Sequence, residues 1–94
     1  MSPLTRQPDD PAYVYILGSF GPGGPRTYVG WSTDLEARLK THNSGKGAKS
    51  TRGRTWQLLY AERFAHRQAA MSREWHLKRN RKLRARVLLN LAGT

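Results

Sequence analysis

The chain contains no cysteine, which excludes disulfides, zinc ribbons and thiol chemistry and fits a reducing, cytoplasmic setting. Acidic residues are nearly as scarce: six stand against 17 Lys and Arg in 94 residues, a formal net charge of +11. No apolar run approaches the roughly 20 residues of a membrane span, and residues 1–10 lack the apolar core of a secretory signal. Only 37% of the chain is hydrophobic. A chain this short and polar is expected to form one domain with a modest core.

What is abundant is positive charge, unevenly placed. From Lys40 onward fourteen Lys or Arg are accompanied by two acids, Glu62 and Glu74. A surface so one-sided attracts a polyanion through counterion release. No segment joins a wide apolar face to a lysine-rich one, so acidic lipid is the weaker partner. Nucleic acid is the first expectation, in a cytoplasmic, nucleoid-associated setting.

Residues 1–11, with three prolines and two aspartates, are expected to be a disordered leader, and residues 12–94 a single domain. Ala12–Leu17 reads as a strand, rich in β-branched and aromatic residues. Gly18 to Pro25, with four glycines and two prolines, reads as a loop, and Arg26–Trp31 as a second strand paired with the first in an antiparallel hairpin. Thr33-Asp34-Leu35-Glu36 matches a capping box, with Thr33 as cap, and starts a helix whose inner face carries Leu35, Arg38, Leu39 and His42. Asn43 to Gly47 ends it, and residues 48–55 form a basic loop. Trp56–Ala61 is a third strand running on toward Phe64. Arg67–Arg79 and Lys82–Leu91 are helices with a weakly marked break near Asn80 and Gly93 as a stop. The expected architecture is α/β, a small three-stranded antiparallel sheet flanked by helices in the order β-β-α-β-α-α.

Several polar residues fit such a framework poorly as mere surface. Glu74 lies on the apolar side of its helix with Ala70, Met71, Trp75 and Leu77. Either it pairs with Lys78 one turn on, or it is a metal ligand at the floor of a basic groove, where a hard divalent cation takes oxygen. Arg38 can grip a phosphate with two bonds, whereas a lone histidine such as His42 on a helix face is more often structural. Tyr13 and Tyr15 share one face of the first strand, and Tyr28 lies on the second. A phenol, with its pKa near 10, serves as a base only when cations lower that value; this chain supplies cations. Lys46, Lys49, Arg52, Arg54 and Lys78 are the candidate nucleic-acid contacts. Trp31, Trp56 and Trp75 are expected in the core, and would stack on bases if exposed.

Tyr13-Val14-Tyr15 followed by Tyr28-Val29-Gly30, then Arg38, the His42-Asn43 pair and a helical Glu74, resembles the signature of the GIY-YIG nuclease superfamily. The resemblance spans Ala12 to about Leu89 and is similar in size to the small single-domain branch, known for endonucleases acting on single-stranded DNA. Close relatives of that branch include a nuclease subunit that cuts branched DNA. The resemblance implies a catalytic set of Tyr15, Tyr28, Arg38, His42 and Glu74, with Arg38 on the scissile phosphate. It implies Glu74 as ligand to one divalent metal ion, Mg²⁺ or Mn²⁺. Tyr13 replaces the glycine of the first tripeptide, a substitution close relatives tolerate. Many members carry an asparagine after the glutamate; Asn80 is too near, Asn90 fits only approximately, and neither is assigned.

The implied activity is metal-dependent hydrolysis of DNA phosphodiester bonds, single-stranded DNA favoured, with DNA repair the expected setting and no small-molecule cofactor. Tyr15 or Tyr28 would orient or deprotonate the attacking water. Competing readings are a nuclease for branched or other structured DNA, a nuclease subunit needing a partner chain, a non-catalytic basic nucleic-acid-binding module, and a ribosome-bound structural protein. The module explains the charge alone, but not why Tyr15, Tyr28, Arg38 and Glu74 recur at these places.

Overall fold

A computed structural model describes residues 11–21 and 23–92, with side chains through Leu89. The elements run β1 (Ala12–Ser19), β2 (Arg26–Ser32), α1 (Leu35–Asn43), a single 3₁₀ turn (Lys49–Thr51), β3 (Gln57–Phe64), α2 (Arg67–Arg79) and α3 (Arg81–Ala92). The leader expected over residues 1–11 lies, apart from Pro11, outside the described residues, as does Gly93.

β1 is the central strand of a three-stranded antiparallel sheet ordered β2-β1-β3. Its position explains its composition. A strand covered on both faces needs no polar alternation, and from Val14 to Leu17 every residue is buried. β1 runs two residues beyond the expected Leu17, because Gly18 and Ser19 still pair with Thr27 and Arg26. On one face Ala12, Val14, Ile16 and Val29 meet Ala70 and Leu77 of α2, with Leu83 and Val87 of α3 packed behind. Tyr15, Leu17 and Trp56 pack on the other face, joined by Tyr28 and by Leu35 and Leu39 of α1. Two small cores therefore share one strand. Fully burying a side chain the size of Leu77 contributes about 1.5–3 kcal/mol.

Three sequence expectations change here. α1 is capped by Asp34, whose side chain accepts from the Ala37 amide at 3.1 Å. With Asp34 as cap, the third helical residue is Ala37, and Glu36 is one place too early to reach back as a capping box requires. The break between the last two helices is sharp: Asn80 leaves helical geometry and its Oδ1 accepts from the Leu83 amide at 3.1 Å, ending α2 and capping α3. Trp75 is 52% exposed and Met71 is exposed too, because Ala70 and Leu77 face the sheet and turn both outward. The Arg79 guanidinium covers Trp75, 3.6 Å from its ring centroid.

Candidate active site

Tyr15 is the centre of the polar cluster. Its ring is 1% exposed, and its hydroxyl lies 3.1 Å from Nε2 of His42, which α1 delivers to the same face of the sheet. His42 is itself buried. Its Nδ1 lies 2.9 Å from Oγ1 of Thr51, and that hydroxyl donates to the Ala48 carbonyl at 2.8 Å. A carbonyl can only accept, so the single Thr51 proton is committed. Nδ1–H must therefore donate to Thr51, leaving Nε2 as the acceptor for the Tyr15 O–H. The direction of every proton in the chain Tyr15–His42–Thr51–Ala48 follows from this one carbonyl. Burial, reinforced by the charge of Arg38, lowers the His42 pKa, which keeps the ring neutral and able to accept.

Two glycines make room for this chain. A Cβ at Gly30, directly across from Tyr15 on β2, would lie 2.5 Å from the phenol oxygen and 2.7 Å from Cζ. One at Gly47 would lie 2.5 Å from Nδ1 of His42. Both positions need an absent side chain for space, not for backbone freedom, since neither has a positive φ.

The other candidate residues gather around Tyr15. The Tyr28 ring stands 6.4 Å from it and 4.7 Å from His42, centroid to centroid. Exposed Arg38 stands near enough for its guanidinium to favour the ionised Tyr15 hydroxyl, and the negative charge of Glu74 on α2 acts on it more weakly in the opposite sense. The net effect differs from the expectation of cation-lowered phenols: burial raises the Tyr15 pKa, and Arg38 only partly offsets it. At neutral pH Tyr15 is a protonated donor to His42. Beside the cluster an open cleft of about 320 Å³ is lined by Trp31, Ser32, Thr33, Arg38 and Arg67. A larger one, about 430 Å³, lies at the opposite end of the sheet around Ser19 and Trp56 and shares no residue with the cluster.

Glu74 is 21% exposed, and the Lys78 ammonium stands 3.7 Å away with its own side chain 51% exposed. So loose and wet a pair is weak, and it does not account for a half-buried carboxylate. Among the described residues no group of three or more His, Asp or Glu could cage a metal. A single half-buried carboxylate does suit Mg²⁺ or Mn²⁺, which keep most of their waters and borrow oxygens from phosphate. Glu62, the other downstream acid, is committed elsewhere: Arg73 grips it through Nε at 2.8 Å and Nη2 at 3.0 Å, and the Tyr60 hydroxyl donates to it.

The candidate nucleic-acid contacts divide. Lys46, Lys49, Arg52 and Lys78 are exposed. Arg54 is half-buried and laces the β1–β2 loop, donating to Ser19 Oγ at 3.0 Å and to the Gly24 carbonyl at 2.6 Å. Asn43 clamps the backbone of Trp56, donating to its carbonyl at 3.0 Å and accepting from its amide at 2.6 Å. Sequence reasoning missed Thr51 and Gly47, because their importance rests on contacts with His42 across a loop that carries no local signature.

Residues 11–86 match the model of the GIY-YIG catalytic domain. A UPF0213 protein of Streptococcus pneumoniae serotype 4 is 46% identical over an alignment of 79 residues that covers 79% of this chain and 73% of that one. A UPF0213 protein of Haloquadratum walsbyi is 46% identical over 71 residues, 74% and 76% of the two chains. The solution NMR structure of the UPF0213 protein BH0048 from Bacillus halodurans is 38% identical, covers 86% of this chain and 84% of its own, and superimposes with a TM-score of 0.46. The paired tripeptides on β1 and β2, one facing the other across Tyr15 and Gly30, are thus what they resembled: the chain belongs to the GIY-YIG catalytic-domain family, a nuclease fold.

Proposed function

We propose that this protein is a metal-dependent DNA endonuclease that prefers single-stranded DNA. The observation that carries the reading is the Tyr15 hydroxyl, bonded to a neutral His42, bordered by Arg38 and facing the charge of Glu74. A proton acceptor and a phosphate-binding cation thus stand at one oxygen, with a carboxylate whose charge is felt there, a set that hydrolysis of a phosphodiester can use.

In this mechanism Arg38 binds the scissile phosphate with its fork of donors and neutralises the charge that builds on it. Tyr15 takes a proton from the attacking water as it passes its own to Nε2 of His42, so no free phenolate has to form against its raised pKa. Thr51 holds the imidazole in the tautomer that can receive that proton. Tyr28 walls the other side of the pocket and orients the water. Glu74 would hold one Mg²⁺ or Mn²⁺, which when bound supplies charge stabilisation for the phosphate and the leaving oxygen. Lys46, Lys49, Arg52 and Lys78 guide the strand. The single-strand preference rests on the resemblance to the small single-domain branch of the family.

The test incubates the protein with single-stranded and duplex DNA of one sequence, with Mg²⁺, Mn²⁺ or EDTA, beside Glu74→Gln. Cutting of the single strand should depend on the metal and exceed that of duplex. Glu74→Gln keeps size and helix but removes the charge; it should lose several orders of magnitude in cleavage while DNA binding stays equal or tightens. Equal cutting of plain duplex overturns the preference, metal-independent cutting overturns the metal, and near-normal cleavage by a folded Glu74→Gln overturns the site.

A further inference from the structure

One positively charged cleft lies outside the cluster around Tyr15. At the start of β2 and of α3 a cleft of about 180 Å³ is lined by Pro25, Arg26, Thr27, Arg81, Arg84, Ala85 and Leu88. Three arginines meet there, and the first turn of α3 carries no acid. The ion pairs among the described residues are Arg73 with Glu62 and Lys78 with Glu74, so no carboxylate there balances these guanidinium groups. Arg84 is held in place from behind: Nη1 donates to Thr27 Oγ1 at 3.4 Å and Nη2 to the Lys78 carbonyl at 3.0 Å. Its Nε is fully sequestered and has no hydrogen-bond partner. A half-buried guanidinium held from behind, flanked by two exposed cations and balanced by no carboxylate among the described residues, is costly as it stands and becomes favourable when an anion arrives.

We propose that this cleft is a second phosphate site, which holds the sugar-phosphate backbone of a nucleic-acid strand away from the bond being cut. Arg26 and Arg81 supply charge at the rim, and Arg84, fixed by Thr27 and Lys78, supplies the oriented floor. The position sets the spacing. β2 is an edge strand, with Arg26 at one end and Ser32, which lines the Arg38 cleft, at the other. Its seven residues span about 20 Å at roughly 3.3 Å per residue, several nucleotides of an extended strand. Only the location of the cut rests on the nuclease reading; the phosphate site itself does not.

The experiment measures binding in EDTA, where no metal-dependent cutting occurs, of single strands of about three and about fifteen nucleotides, each with and without a 5′-phosphate. The proteins are the wild type, Arg26→Gln/Arg81→Gln, Arg84→Lys, and Arg63→Gln/Arg86→Gln as a charge-matched control on exposed positions outside the cleft. Arg26 and Arg81 are exposed, so the double variant should fold, as circular dichroism would check. It should weaken the long strand about tenfold more than the control does, flatten the salt slope by roughly 1.4, and leave the short strand unchanged. Arg84→Lys, with no change in charge, should weaken the long strand severalfold. Loss confined to 5′-phosphorylated strands assigns the cleft to a terminal phosphate, and equal loss on both assigns it to an internal phosphodiester. Binding equal to that of the control overturns the proposal. A wild type that never cuts, beside a double variant that loses the long strand, removes the nuclease reading and leaves the cleft standing.

Discussion

Replacing Gly30 by alanine adds one methyl group, and the structure says where it goes. The new Cβ would sit 2.5 Å from the Tyr15 oxygen, 2.7 Å from its Cζ and 3.1 Å from Cε2 of Tyr28. Ordinary van der Waals separation requires the phenol to withdraw by roughly 1 Å, and the 3.1 Å bond to His42 cannot survive a shift of that size in most directions. Gly30 has no positive φ, so the backbone accepts alanine and most of the penalty falls on Tyr15, with Tyr28 yielding a little. Overpacking of this kind costs about 1–3 kcal/mol, read by urea denaturation. Cleavage should fall about 100-fold, the scale expected when a reacting group moves by roughly 1 Å. In a Tyr15→Phe background the closest clash is gone, so Gly30→Ala should destabilise less there than in the wild type. Gly30→Ala with wild-type stability and wild-type cutting would refute the placement of Tyr15 beneath Gly30, and with it the proton chain.

Two further outcomes follow from other parts of the site. Because the His42 pKa is lowered in the native state, an unfolded chain takes up a proton near pH 6.5 that the native protein still refuses. Stability is therefore fully present above about pH 6.5 and declines as pH falls through the window below it, by at most about 1.4 kcal/mol per unit; urea titrations from pH 8 to 5 should show a decline that His42→Gln reduces. Lys49→Ala/Arg52→Ala should weaken binding to all sequences alike and flatten the salt slope, whereas Arg54→Ala should instead cost about 1–3 kcal/mol of stability by stranding buried Ser19. An unchanged melting curve for Arg54→Ala would count against that division.

The elements were legible because their signals are local. The unbroken run Tyr13 to Leu17 marks a strand buried on both faces, and the spacing of Ala70 and Leu77 marks a helix packed on it. The candidate site residues Tyr15, Arg38, His42 and Glu74 stand out in the sequence only as a pattern of tripeptides and intervals resembling a family. What spacing cannot give is which helical residue lands first on the cap, so Asp34 displaced Thr33. Nor can it say which way a tryptophan on the flank of a stripe turns, so Trp75 went out into solvent. The least legible feature is the support beneath His42. Thr51 and Gly47 are a hydroxyl and a missing side chain in a loop that reads as polar connection, and nothing but the folded chain brings them to the imidazole.

That hidden support makes the sharpest separation between structure and chemistry. Thr51→Val keeps the shape of the side chain and removes the oxygen that accepts from Nδ1–H of His42. A buried imidazole then has a donor without a partner, which costs about 1–3 kcal/mol. The ring is also free to place its proton on Nε2 instead, and in that tautomer it donates toward Tyr15 and can accept nothing from it. Loss of stability alone would be shared by any cavity or unpaired group, so the rate must be read apart from it. A Thr51→Ser variant restores the hydroxyl without the methyl and should regain most of the cleavage, even where it remains less stable than Thr51→Val. Nitrogen-15 NMR of the imidazole distinguishes the tautomers directly, with Nδ1–H expected in the wild type and in Thr51→Ser. A Thr51→Val protein that keeps the Nδ1–H tautomer and cuts at the wild-type rate would show that Thr51 merely fills space, and that the direction of the proton chain is set elsewhere.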